Sequence, residues 1–157
     1  MTEDYSEQHL AHVPSFRRSP IVFSTVATHE RKQILADARC HEILHGLWER
    51  SAEKDDWYVG QYVVMPDHVH LFARPASQAD LIKDWVKMWK SVSARALVSA
   101  LGLDGALWQA DYFDRYLRSS ESYREKWFYM QNNPVRAGLV SQVSEWPYQG
   151  KIHDLSF

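Results

Sequence analysis

Residues 57–74 constrain the fold of this chain more than any other stretch. Trp57 to Met65 is rich in β-branched and aromatic residues, Pro66-Asp67 is a tight-turn dipeptide, and His68 to Arg74 resumes strand character. The segment reads as a β-hairpin. Strand side chains alternate, so His68 and His70 share one face while Val69 and Leu71 take the other. Two imidazoles side by side on a rigid strand are a ready pair of divalent-metal ligands. On spacing alone, a structural or surface pair is an equal alternative.

Around the hairpin, Ile21 to Thr28 alternates as a first strand. From His29 to about Ala52, Ile34, Leu35, Ala38, Ile43, Leu44, Leu47 and Trp48 recur at helical spacing. The acidic run Glu53 to Asp56 is a turn. A second helix over Gln78 to Leu101 carries the stripe Ile82, Trp85, Val86, Trp89, Val92 and Ala96. A Gly/Asp loop leads to a fourth strand near Trp108 to Leu117. A third helix follows from Ser119 to about Asn132, with Ser122 and Glu125 at capping-box spacing. Asn133-Pro134 should end it, because proline disfavours the helical conformation in the residue before it. The remainder reads as a short tail. The order β-α-β-β-α-β-α predicts an α+β, ferredoxin-like (RRM-like) domain, its antiparallel sheet covered by helices on one face and His68 and His70 on a central strand. Residues 1–20 read as a flexible N-terminal arm and residues 21–157 as a single domain.

Composition bounds the function. With 157 residues, 45% hydrophobic and 13% aromatic including seven Trp, the chain can bury a proper core. Cys40 is the only cysteine, so no intramolecular disulfide or cysteine zinc cluster is available, which suits a reducing cytoplasm. The polar, acidic start lacks the signal-peptide pattern, and no apolar run approaches the roughly 20 residues of a membrane span. The net charge of −2 does not advertise a nucleic-acid binder. Its distribution is uneven: residues 1–82 hold 8 Lys+Arg against 12 Asp+Glu, residues 83–157 hold 10 against 8.

On the third helix, Tyr123, Trp127 and Met130 form a core stripe. Tyr129 lies about 200° around from Trp127 and faces away from it. Asn133 follows by four residues, so a phenol and an amide project together from the helix end. An exposed tyrosine followed by a helix-terminating Asn-Pro is the plainer reading. Lys83, Lys87 and Lys90 fall on one side of the second helix and could track phosphates, or simply form a solvated face. Trp85, Trp89, Trp108 and Trp127 are assigned to the core.

Three segments carry a resemblance to a known family: Met65-Pro66-Asp67-His68-Val69-His70; Trp108-Gln109 with Tyr112-Phe113-Asp114-Arg115; and Tyr129-Met130-Gln131-Asn132-Asn133-Pro134-Val135-Arg136-Ala137-Gly138-Leu139-Val140. The chain resembles the HUH single-strand transposases, most closely the REP-associated tyrosine transposases of the IS200-like group. One departure stands out. The family usually has Asn where this chain has Asp67, which adds a negative charge beside the histidine pair.

The resemblance implies an HUH endonuclease that cleaves and rejoins single-stranded DNA at hairpin-forming palindromes. Tyr129 would be the nucleophile, giving a 5′-phosphotyrosine intermediate and a free 3′-hydroxyl. His68, His70 and Asn133 would hold Mg²⁺ or Mn²⁺. Arg17, Arg18, Lys83, Lys87, Lys90, Arg115, Arg118 and Arg136 are the candidate DNA contacts, with Tyr112 or Phe113 able to stack on bases. The implied setting is a prokaryotic cytoplasm, at the nucleoid, as monomer or homodimer. Two rivals predict differently: a catalytically silent hairpin binder would not need Tyr129, and a small-molecule metallohydrolase would form no DNA adduct.

Overall fold

In the computed structural model, which describes residues 19–156, β1 (Val22–Ala27) is followed by a 3-10 turn (His29–Arg31) and α1 (Ala38–Asp55). The hairpin is β2 (Trp57–Met65) and β3 (His68–Pro75), and α2 (Ile82–Leu101), β4 (Phe113–Tyr116) and α3 (Ser120–Gln131) come next. A short helix α4 (Asn133–Arg136), a 3-10 turn (Val143–Glu145) and β5 (Gln149–Lys151) complete the order. The arm expected over residues 1–20, with Arg17 and Arg18, falls almost wholly outside the described residues.

The strands form one sheet in the order β4-β1-β3-β2-β5, every neighbouring pair antiparallel. The first four positions are the expected ferredoxin-like arrangement, and β3 is central. Met65 pairs with His68 across the Pro66-Asp67 turn. An irregularity between Val59 and Tyr62 shifts the β2 alternation by one, so Trp57 and Val59, then Tyr62 and Val64, all reach the same core layer.

That layer holds Val69, Leu71 and Ala73 of β3 under α1 and α2, with a column of indoles among them. Trp57 stacks on Trp85 at 4.8 Å, and Trp89 meets Trp48 and Trp108 edge-on at 5.4 and 5.6 Å. Trp85 and Trp108 donate to the buried hydroxyls of Ser51 and Ser93. The opposite face packs Phe23, Val63, Met65 and Phe72 against Met130, Leu117, Trp146 and Leu155, with Tyr123 and Trp127 half-buried beside them. Helices on one face therefore describes α1 and α2, the two crossover helices. It does not describe α3, which packs on the other face because its Tyr123 ring stacks on Phe72 at 4.4 Å.

Several boundaries differ from the sequence expectation, and Glu53 to Asp55, expected in a turn, form the last turn of α1, which ends where Asp56 takes the left-handed conformation. The first helix starts at Ala38 rather than His29: Glu30 and Arg31 take positive φ, and the Asp37 carboxylate caps the Arg39 N–H at 2.8 Å. Ile34 and Leu35 reach the core from the loop that precedes it. The second helix starts at Ile82 rather than Gln78, and β4 is confined to Phe113–Tyr116, Trp108 making only an isolated bridge to Thr28. The cap of α3 is Ser119, whose hydroxyl accepts from the Ser122 N–H at 3.1 Å, and Ser122 is the residue it caps. Finally, the C-terminal stretch is no tail. Trp146 is buried and donates to Val64 O, and β5 zips onto Gln61–Val63 of β2.

Candidate active site

Register brings the site together. Thr25 of β1 pairs with His70 of β3, so their side chains share a face, and Thr25 Oγ1 lies 2.8 Å from His70 Nδ1. Phe23, two residues back on the same face, stacks on the His70 ring at 5.5 Å and 20°. At the hairpin turn, Asp67 Oδ1 lies 2.7 Å from His68 Nδ1, while Arg31 Nε donates to Asp67 Oδ2 at 3.0 Å. Each imidazole is thus held through Nδ1. The Nε2 atoms face one another at 3.2 Å. From the other side, α4 brings the Asn133 amide nitrogen to 2.8 Å from His70 Nε2.

Burial keeps these rings neutral. Burial pushes His70 down to about 3, with His68, Arg136 and Lys126 adding to the effect. Burial also lowers His68, against the opposing pull of Asp67. Burial disfavours the Asp67 carboxylate, but hydrogen bonds from His68 and Arg31 outweigh it and hold the group below the usual carboxylate range. With Asp67 ionised, His68 Nδ1 carries the hydrogen and Nε2 the lone pair. When His70 donates in the same way to Thr25, two lone pairs confront each other, an arrangement that a proton or a cation must relieve.

The donor set fits a divalent cation. Octahedral bonds of about 2.0–2.1 Å separate adjacent donors by about 3 Å, close to the 3.2 and 2.8 Å found here. Rotation of the Asn133 amide by 180° offers Oδ1 where Nδ2 now stands. Among the described residues no cluster of three His, Cys, Asp or Glu side chains is suited to a metal, so a third protein donor here would have to be the amide. The Asp67 and Thr25 contacts are of the kind that fixes tautomer and ring orientation in histidines able to bind a metal.

Tyr129 stands over this group with its ring 6.4 Å from that of His70 and half its surface exposed. The Arg136 guanidinium lies 3.8 Å from the Tyr129 ring centre and donates to the Tyr129 carbonyl at 2.8 Å. Arg136, expected as a DNA contact, lies against the phenol ring and braces it. Arg115 and Phe113 on the edge strand share the face of Phe23 and Thr25, their register partners. With Arg118, Lys126 and Ser122 they line a cleft of about 610 Å³ between β4 and α3. Lys83 and Lys87 are exposed on α2, across the sheet from His70. Lys90 is occupied: its ammonium donates to Gln109 O at 2.6 Å and Ala110 O at 3.1 Å. Thr25, Phe23 and Arg31 belong to the site but carry no local signal, since only sheet register and turn geometry bring them to the histidines.

Fold and site together define a class, the tyrosine transposases built on an antiparallel α+β domain. The chain belongs to the IS200-like transposase family, whose model matches residues 21–132. It is similar to the REP-associated tyrosine transposase of Escherichia coli strain K12, with 27% identity over 135 residues that cover 85% of this chain and 78% of that protein. Among solved structures it matches a REP-associated tyrosine transposase bound to a REP hairpin, with a TM-score of 0.65 and 24% identity, covering 87% of this chain and 89% of the other. A Deinococcus radiodurans protein described as a transposase matches with a TM-score of 0.55 and 28% identity, over 73% of this chain and 90% of that one.

Proposed function

We propose that this chain is a metal-dependent endonuclease and strand transferase that cuts and rejoins single-stranded DNA at hairpin-forming palindromes. The observation that carries the reading is the convergence of His68 Nε2, His70 Nε2 and the Asn133 amide under an exposed tyrosine. The E. coli relative and the hairpin-bound neighbour supply the substrate class.

In this reading His68, His70 and Asn133 hold Mg²⁺ or Mn²⁺, which when bound offsets phosphate charge and polarises the P–O bonds. The remaining work falls to the chain's own groups. Asp67 and Thr25 keep the imidazoles in the ligating tautomer. Arg136 fixes the phenol ring against the site and brings positive charge toward an approaching phosphodiester. The Tyr129 oxygen attacks phosphorus and loses its proton to solvent. The bond from phosphorus to the 3′ oxygen breaks, and that oxygen leaves as a hydroxyl by taking up a proton. A 5′-phosphotyrosine remains. Attack by a 3′-hydroxyl reverses these bond changes and frees Tyr129 without ATP, because the covalent link conserves the phosphodiester energy.

The test uses labelled single-stranded oligonucleotides of the palindromes that flank the gene, with Mn²⁺, comparing the wild type with Tyr129→Phe. A covalent adduct that survives a denaturing gel, requires the metal and vanishes in the variant is expected. Hairpin binding without adduct in the wild type overturns the reading in favour of a silent binder, and an adduct in Tyr129→Phe removes Tyr129 as nucleophile.

A further inference from the structure

A second cluster lies on the opposite side of the sheet. Helix α1 carries His41-Glu42-Ile43-Leu44-His45, two histidines four residues apart and therefore one turn apart on one side. Both rings meet Tyr62 of β2: His41 Nε2 lies 2.7 Å from the phenol oxygen and His45 Nδ1 lies 2.8 Å from the same atom. Tyr62 is buried, and the backbone of Gly150 on β5 closes over it so tightly that a Cβ there would stand 2.8 Å from the phenol oxygen. The cluster borders a groove of about 690 Å³ that Glu42, Tyr148 and Lys151 also line.

One phenol hydrogen serves only one of two imidazoles. The oxygen therefore donates to one ring and accepts from the other, or all three atoms turn lone pairs toward one cation. The run His-Glu-x-x-His on a helix is the spacing by which successive turns offer two imidazoles to a single zinc ion. No third imidazole, thiolate or carboxylate completes the set among the described residues. The Tyr62 phenol oxygen is the further donor atom that both imidazoles meet.

We propose that His41, His45 and Tyr62 form a second transition-metal site, of the zinc class, that ties α1 to the β2–β5 edge and leaves one position open to water from the groove. Binding forms a metal–phenolate bond and releases the phenol proton to solvent. The imidazole that had donated its N–H takes the other tautomer, so one proton leaves per ion bound. Burial pushes the phenol up to about 12, so the ion's charge must replace what the surroundings withhold. Burial and His45 lower His41, which keeps that ring neutral and able to ligate.

The test separates this site from the one under Tyr129. The full chain carrying His68→Ala and His70→Ala is stripped with chelator and titrated with Zn²⁺ and, in parallel, Co²⁺. One ion per chain is expected, with the visible spectrum of four-coordinate Co²⁺ and release of one proton. Adding Tyr62→Phe, which keeps the buried ring, weakens binding roughly tenfold or more, and adding His45→Ala abolishes it. A folded His68→Ala/His70→Ala chain that takes up no ion overturns the proposal, as does an ion whose affinity ignores both Tyr62→Phe and His45→Ala. Should His45→Ala fail to fold, Tyr62→Phe and the Co²⁺ spectrum decide the matter.

Discussion

Asp67 shows how one side chain sets the chemistry of its neighbours. Its carboxylate takes the His68 Nδ1 hydrogen with one oxygen and Arg31 with the other. Asp67→Ala frees the His68 ring, so Mn²⁺ affinity is expected to fall roughly 10–100-fold in calorimetric titration. Asp67→Asn keeps an acceptor for Nδ1 and should lose far less. His70 makes a second case. Its folded form is depressed to about 3, so an unfolded chain with an ordinary imidazole near 6.5 takes up a proton first as pH falls. With chelator present, the urea midpoint should therefore decline as pH drops from about 6.5 toward 3, with His68 adding in the same direction, and this contribution should be flat above about 7. That His68 and His70 share a face was legible because a spacing of two on a strand is a local property. Thr25 and Phe23 were not, because a pairing of β1 with β3 joins residues 45 apart.

At the scale of elements, the hairpin was legible to the residue at three of its four ends, since β-branched runs broken by Pro-Asp leave one register. The start of α1 was not. Apolar spacing from Ile34 onward mimics a helix, while Asp37, a capping residue inside that spacing, decides where the helix begins. The same periodicity identifies α1 but not what His41 and His45 face, because Tyr62 comes from β2 after a shift in strand alternation. Helix α3 carries Tyr129, so its first turn bears on the site. Ser119→Ala removes the cap and should cost about 1 kcal/mol, lowering the melting midpoint by about 2–4 °C. Ser122→Ala should leave it nearly unchanged, since the Ser122 backbone N–H is what the cap uses. Differential scanning fluorimetry of the two variants distinguishes the cap in the structure from the capping box the sequence suggested.

The whole molecule divides its labour between two faces of one sheet. One face is closed by α1, α2 and the indole column, while the other carries the histidine pair, α3 and the cleft lined by Arg115, Arg118 and Lys126. A net charge of −2 concealed this, because charge in sequence has no face until the strands are ordered. The cleft joins the histidine pair through Phe23, which Lys126 overhangs at 5.3 Å and which stacks on His70. On the proposed function, a DNA strand whose phosphate lies at Tyr129 is expected to continue along this cleft rather than around the sheet to α2. Neutralising one phosphate contact on single-stranded nucleic acid changes the slope of log affinity against log salt by about 0.7. Arg115→Ala and Arg118→Ala are each expected to weaken hairpin binding and to flatten that slope by about this amount. Lys83→Ala and Lys87→Ala, across the sheet, should leave the slope unchanged. Fluorescence anisotropy with a labelled hairpin over a salt series measures all four. A slope that responds to Lys83 and Lys87 but not to Arg115 and Arg118 would place the DNA on the α2 side and break the link between the cleft and Tyr129.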